Sequence, residues 1–345
     1  MSLRDASVLD GGMGTLLESL APSDEKDVAS PLWSAAFLLG REDVVREAHR
    51  RFRRAGADVL TTTSYQLSKE SLERAGVDAA RLTALFGASV RLAREGTRAA
   101  DAKQAGDAQD VTSADVVSTS RRTVLVAASF GSFGAVDCEG GEFTAAFLRG
   151  DGGDVARLAE FHGARVDACC AAEGDERPDL FAFETMASVA EAQAVLDVLE
   201  TRVGHVPPTW LSFTCRDGET LGGGEPFADA VRLLASRCWG ATSPLRGTVV
   251  GIGINCTPPT FVPQLVATAR RVAGDAAVVL AYPNAGEFTW DAEARCFHPD
   301  TSRPAWTPSE AGEAASLWRA AGANVVGGCC TTTPAHVAAM CGASG

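Results

Sequence analysis

Ala55-Gly56-Ala57-Asp58-Val59 reappears near the far end of the chain as Ala321-Gly322-Ala323-Asn324-Val325. Both copies follow a helix-like stretch and lead into a short apolar run. The layout is that of a helix ending on a left-handed glycine, with a buried strand starting just beyond it. Working outward from these two points, β-branched runs alternate with helical patterns along the whole length. Strands are expected over 7–9, 58–62, 123–128, 180–183, 209–214, 249–254, 278–282 and 324–327. Helices are expected over 42–54, 69–98, 154–172, 188–202, 227–238, 261–272 and 309–321. In the first of these, Val44, Val45, Ala48 and Phe52 recur at helical spacing while arginines and glutamates take the other face. Strands that alternate with helices predict a parallel sheet, and closure into a (β/α)8 TIM barrel removes its edges. An open doubly wound sheet is the alternative, but no G-x-G-x-x-G fingerprint follows the first strand. The expectation is one domain over residues 1–345. Two loop insertions are expected, a polar one at about 100–122 and a glycine-rich acidic one at about 137–154.

Composition narrows the function. Basic residues number 31 against 44 acidic ones, a formal net charge of −13. That balance argues against a nucleic-acid partner, which needs a basic surface, and sits comfortably with a cationic small molecule. No stretch approaches the roughly 18 to 20 apolar residues that span a bilayer, and the N-terminus carries no signal-like apolar run. No membrane partner is expected, and the cytoplasm is the expected location. In that reducing compartment the ten cysteines point to metal binding or catalysis rather than to disulfides.

In barrels of this kind the catalytic groups come from the C-terminal ends of several strands. Those ends read Asp10-Gly11-Gly12, Thr63-Ser64-Tyr65, Ser129-Phe130-Gly131, Glu184-Thr185, Thr214-Cys215, Asn255-Cys256, Pro283-Asn284 and Gly328-Cys329-Cys330. Cys256 closes the sixth expected strand and the vicinal pair Cys329-Cys330 closes the eighth, so three thiolates can converge on one ion. Gly327-Gly328 offers freedom for the bend that lets both vicinal cysteines reach it. Three protein ligands leave a coordination position open for chemistry, whereas a structural zinc takes four. Against this, a buried cysteine is often only a small hydrophobe. That reading suits Cys169, Cys170 and Cys238 in helical patterns. Cys138, Cys296 and Cys341 fall in expected loops or the tail, and Cys215 is the one rival ligand. The five histidines need no role; His49 and His162 fall on helical faces that solvent or capping explains.

The segments Leu9-Asp10-Gly11-Gly12-Met13-Gly14-Thr15, Thr63-Ser64-Tyr65-Gln66, Glu184-Thr185, Gly253-Ile254-Asn255-Cys256 and Gly327-Gly328-Cys329-Cys330-Thr331-Thr332-Thr333-Pro334 resemble the homocysteine S-methyltransferase family. The likeness runs from about Val8 to Ala339. It implies a (β/α)8 barrel with one zinc held by Cys256, Cys329 and Cys330. It further implies that Asp10, Gly11 and Glu184 hold the amino-acid end of homocysteine and that Tyr65 lines the site. Pro31-Leu32-Trp33-Ser34-Ala35 and Tyr282-Pro283-Asn284-Ala285-Gly286-Glu287 look like the branch that uses S-methylmethionine or S-adenosylmethionine. Trp33, Asn255, Tyr282 and Asn284 complete the expected substrate set, and the assembly is expected to be a monomer or small homo-oligomer.

The chemistry follows from the thiol. Its unperturbed pKa is about 8.5, so only a few per cent is thiolate at neutral pH; zinc coordination removes the proton outright. Alignment of thiolate and methyl group supplies more, about 7 to 11 kcal/mol. A sulfonium donor calls for a pocket faced by aromatic rings without strong anion pairing at the reacting sulfur. Trp33, Phe130, Phe133, Tyr282 and Trp290 are the candidates. Rival readings are a selenocysteine or other thiol methyltransferase, a betaine-type donor, and a non-catalytic zinc-binding barrel.

Overall fold

The computed structural model of the protein describes residues 1–21, 30–106, 123–136, 140–149, 154–286, 288–291, 296–299 and 305–343. In chain order it runs α1 (Met13–Leu20), α2 (Glu42–Arg54), β1 (Val59–Thr61), α3 (Lys69–Arg74), α4 (Leu82–Gly106) and β2 (Leu125–Gly131). Next come α5 (Gly141–Thr144), α6 (Val155–Cys170), β3 (Leu180–Met186), α7 (Val189–Glu200), β4 (Thr209–Phe213), α8 (Phe227–Cys238) and β5 (Val249–Asn255). The chain finishes with α9 (Val262–Ala273), β6 (Val278–Tyr282), β7 (Phe288–Asp291), β8 (Cys296–Pro299), α10 (Pro308–Ala321), β9 (Val325–Val326) and α11 (Pro334–Gly342). Seven strands form one curled parallel sheet in the order β1-β2-β3-β4-β5-β6-β9, and β7 pairs with β8 in an antiparallel hairpin. Val8 bridges Val326 and Leu9 bridges Val59, both in parallel, so residues 8 and 9 touch the two edge strands at once.

The repeated pentapeptide behaves as its residues require. Gly56 and Gly322 adopt φ of 101° and 116°, the left-handed region a Cβ disfavours. The polar residue two places on reaches sideways to a neighbouring strand. Asp58 Oδ2 accepts from the Ser7 and Val8 amides at 2.8 and 3.1 Å, and Asn324 Oδ1 accepts from the Val279 amide at 2.8 Å. Asp179 does the same for Val126 at 2.8 Å. Each side chain satisfies a buried donor where a strand begins, which fixes the parallel register beside it.

Alternation along the strands separates two apolar layers. Phe181, Phe183, Leu211, Phe213, Ile252 and Ile254 face the helices. Leu9, Val59, Leu125, Ala127, Leu180, Ala182, Trp210, Val278 and Leu280 fill the concave side. The next inward positions along those strands are Thr61, Ser129, Glu184, Ser212 and Tyr282, and all of them are buried. The polar site residues are therefore a continuation of the inner stripe at the C-terminal strand ends.

Several expectations change. The helix expected over 69–98 is broken after Arg74, where Gly76 turns at φ 68° and Asp78 caps a short turn at Ala79–Arg81. α4 then continues to Gly106, so the start of the expected 100–122 insertion is helical; residues 107–122 lie outside the described residues. Of the second insertion, 140–149 contain α5 and a turn at Ala146–Leu148, while 137–139, with Cys138, and 150–153 lie outside. α1, α11 and the β7–β8 hairpin were not expected. Cys341 belongs to α11 and Cys296 to β8 rather than to loops. His49 and His162 are fully buried, not solvent-facing. Burial pushes His49 down to about 3, so it packs as a neutral ring between α2 and α4. His162 Nε2 meets Glu191 Oε1 at 3.0 Å.

Candidate active site

Three sulfurs meet at one point. Cys256 follows β5, Cys329 and Cys330 follow β9, and their Sγ atoms lie within 4.8 Å of one another. Cys256 and Cys329 are joined as a disulfide with their Cα atoms 5.6 Å apart, and Cys256 Sγ is 3.9 Å from Cys330 Sγ. Left-handed turns fall at Cys256 (φ 45°) and at Thr331 (φ 62°), just after the vicinal pair, and not at Gly327-Gly328. The glycines serve close approach instead. A Cβ on Gly327 would lie 2.7 Å from Leu9 Cβ, and one on Gly328 would lie 2.1 Å from the Thr332 side chain.

The N-terminal turn is docked on the cysteine turn. The Gly12 amide donates to Thr332 O at 2.9 Å, the Gly328 amide to Asp10 O at 3.0 Å and the Thr331 amide to Thr15 Oγ1 at 3.1 Å. Asp10 is buried, and its carboxylate accepts from the Thr61 amide at 2.7 Å and from the Thr61 hydroxyl. Burial raises its pKa well above the usual range; the Thr61 hydrogen bonds oppose this and the charge of Glu184 adds to it. Glu184 accepts from the Ser129 hydroxyl. Burial lifts Glu184 to about 7, held back by hydrogen bonds from Ser129 and Tyr282. The Tyr282 hydroxyl also accepts from Trp210 Nε1 at 2.9 Å.

Asn255 spends its amide on the frame. Its Oδ1 accepts from the Thr185 amide at 2.9 Å and Ser212 Oγ at 2.6 Å, while Nδ2 donates to Thr185 Oγ1 at 2.8 Å and faces Cys329 Sγ at 4.0 Å. These bonds hold Thr185 at φ 61° beside Glu184. Tyr65 hydrogen-bonds the Thr185 side chain, and its ring lies against Gly131, where a Cβ would be 2.6 Å from Cε1. Behind it the buried Arg165 guanidinium donates to Tyr65 O at 2.8 Å, Leu67 O at 2.8 Å and Gly131 O at 2.6 Å.

Most of the expected residues line one pocket: Asp10, Gly11, Trp33, Tyr65, Glu184, Asn255, Tyr282 and the three cysteines. Asn284 does not line it; it is buried beside the cysteine turn, its amide donating to Thr257 O at 3.4 Å. Cys215, buried with its thiol pushed up by that burial, is outside the sulfur cluster. Phe130 is a core ring stacked on Phe183, and Phe133 packs on Phe147 and Phe161 away from the pocket. The Trp290 side chain lies outside the described residues. Sequence reasoning read Ser129 as a strand-end residue without a role and missed Thr61 and Ser212; their inward parity on the strands was the available signal. It also missed Arg165, a helical arginine with no distinguishing mark, and Glu142 and Phe143, which lay in a supposed insertion.

The homocysteine S-methyltransferase family model matches residues 7–344. The chain belongs to the homocysteine S-methyltransferase family. Among its relatives in this methyltransferase family, homocysteine S-methyltransferase 1 of Zea mays is 34% identical, covering 97% of this chain and 93% of the relative. A selenocysteine methyltransferase of Astragalus bisulcatus is 32% identical over 95% of this chain and 89% of its own. Among solved structures, the homocysteine methyltransferase MmuM of Escherichia coli superposes in its oxidized form with a TM-score of 0.75 at 31% identity, covering 99% of this chain and 96% of that one. Its metallated form gives 0.74 at 32% identity with the same coverage. The resemblance read from the motifs is thereby borne out at the level of the family.

Proposed function

We propose that this chain methylates homocysteine to methionine, taking the methyl group from a sulfonium donor, S-methylmethionine or S-adenosylmethionine. Cys256, Cys329 and Cys330 are the proposed zinc ligands. The observation that carries this reading is the convergence of three cysteine sulfurs, from strand ends far apart in the chain, in a pocket that also contains two buried carboxylates. Cys256, Cys329 and Cys330 would hold the zinc once the Cys256–Cys329 disulfide is reduced; the Cys256 and Cys330 sulfurs lie 3.9 Å apart with Cys329 beside them. Zinc held there would lower the pKa of the homocysteine thiol so that its proton leaves to solvent and the sulfur stays as thiolate.

The remaining steps belong to the chain's own groups. Asp10 and Glu184 receive the substrate ammonium, which offsets the burial that otherwise keeps them protonated. Gly11 lines the same end, its missing side chain making room for Thr332 O and the Phe52 ring behind it, and Tyr65, held by Thr185, walls that end. Asn255 and Asn284 keep the strand ends in order, and Trp33 and Tyr282 face the donor. The homocysteine sulfur lone pair forms the new S–CH3 bond as the donor's C–S bond breaks. That electron pair returns to the donor sulfur, which leaves as a neutral thioether. No general base is needed.

The same reading takes residues 7–9 as the eighth strand of a closed (β/α)8 barrel, supported by the bridges of Val8 and Leu9 to both sheet edges. It takes the chain as one cytoplasmic domain acting as a monomer or small homo-oligomer; among the described residues no helix is long and apolar enough to cross a membrane. The relative named for selenocysteine favours one second reading, a selenol as acceptor. The test is product analysis with reduced, zinc-loaded protein, homocysteine or selenocysteine, and each donor in turn. Methionine formed from S-methylmethionine or S-adenosylmethionine supports the reading. Faster turnover of selenocysteine, or of betaine, replaces the corresponding partner. Cys329→Ala is expected to lose both bound zinc and activity; retention of either removes the metal assignment.

A further inference from the structure

We propose that the pocket selects its methyl donor by net positive charge, through Glu142 on α5, with Phe143 and Trp33 as the rings beside it. The proposal rests on the reading of the site as a thiol methyltransferase and adds a recognition residue to it. Among the described residues, the pocket lining includes the carboxylates of Asp10, Glu142 and Glu184 and not one Lys, Arg or His. Asp10 and Glu184 lie on strand ends, bonded to Thr61 and to Ser129, and are assigned to homocysteine. Glu142 comes from elsewhere. Its helix is pressed between two glycine turns: a Cβ on Gly134 would lie 2.4 Å from the Glu142 amide nitrogen, and one on Gly222 would lie 2.0 Å from Phe143 O. Thus seated, Glu142 lines the pocket together with Tyr65 and Cys330. Across the pocket the Trp33 indole lies on Gly14, where a Cβ would be 2.5 Å from the ring, and its Nε1 donates to Glu18 Oε1 at 2.5 Å. An indole N–H held by a carboxylate leaves the ring face more negative, which favours a cation.

A carboxylate that acts on the donor's net charge, without pairing with the reacting sulfur itself, has a definite kinetic signature. Methyl transfer from sulfonium to thiolate destroys the positive charge, so Glu142 stabilises bound donor more than the transition state. Its effect therefore belongs in donor KM and not in kcat. In Glu142→Gln, the KM for S-methylmethionine is expected to rise roughly tenfold, the scale of one partly buried charge interaction. The kcat is expected not to fall, and the KM for homocysteine, which is net neutral in solution, is expected to stay within twofold. Glu142→Asp keeps the charge and is expected to stay near wild type. In the wild type, added salt is expected to raise donor KM and leave homocysteine KM in place, which tests the idea even if a variant fails to fold. Donor KM unchanged in Glu142→Gln, equal impairment of both variants, or an equal rise for donor and homocysteine would overturn the proposal. If the wild type makes no methionine at all, the thiol-methyltransferase reading fails. Calorimetric binding of S-methylmethionine to wild type and Glu142→Gln then still decides the charge rule.

Discussion

At Glu184 a carboxylate sits on the inner face of β3 with its pKa lifted to about 7 by burial. Because the folded value lies above the ordinary 4.5, the folded protein holds this proton more tightly than the unfolded chain. The associated stability is present below about 4.5 and is lost as pH rises through about 7. Binding an ammonium requires the ionised form. Homocysteine KM is therefore expected to rise as pH falls below about 7, and Glu184→Gln to raise KM while flattening that limb of the profile. A steady-state KM series over pH checks both, and an unaltered limb in the variant assigns the titration elsewhere. The cysteines make a second prediction at this scale. Chelating zinc in air is expected to yield a Cys256–Cys329 disulfide with Cys330 left alkylatable, readable by peptide mass mapping, since these two are the cysteines joined in the fold, their Cα atoms 5.6 Å apart. Dithiothreitol with zinc is expected to restore activity.

The loop that carries Tyr65 is organised by an element behind it. Arg165 of α6 is buried between Phe130 and Phe161, and its guanidinium donates to three carbonyls from two segments. Burial lowers its pKa to about 10, so it remains charged at neutral pH. Arg165→Met keeps the bulk and removes the donor from Leu67 O and Gly131 O, while Tyr65 O keeps the Gly131 amide at 2.9 Å; each carbonyl left unsatisfied costs about 1–3 kcal/mol. A loss of about 3 kcal/mol in denaturant unfolding is expected, together with a higher homocysteine KM as Tyr65 loosens. Arg165→Lys, with fewer donors and no planar fork, is expected to recover only part of both. Equal KM in all three forms would leave Arg165 with a packing role only. This element was not legible beforehand because nothing along α6 says which arginine faces inward among rings.

Across the whole molecule, residues 7–9 touch the two edges of the sheet, and Asp58 anchors them through two amide hydrogen bonds. Asp58→Ala is expected to cost about 1–3 kcal/mol through the unsatisfied buried donors. It should also speed hydrogen exchange at Val8 and Leu9 ahead of β3 and β5; uniform exchange would show that closure is not held there. Inside the sheet, Trp210 occupies room that Gly251 leaves, a Cβ there lying 3.2 Å from Trp210 Cβ, and it supports the Tyr282 hydroxyl. The inner layer therefore ties the stability of the fold to the position of a pocket residue.

The chain's own letters determined the strand order, the glycine caps, the inward stripe and the trio of sulfurs, because these depend on local periodicity and on rare residue types at strand ends. Tertiary structure alone decided the rest. Whether a carboxylate is charged depends on what buries it, so Asp10 and Glu184 acquired their raised pKa values only in the folded pocket. Which backbone positions bend depends on neighbouring strands, so the left-handed turns fell at Cys256 and Thr331 rather than at the glycine pair. The expected insertion supplies a pocket wall because Gly134 just before it and the distant Gly222 make space for it. Contacts of that kind join residues far apart in the chain, and no periodicity records them.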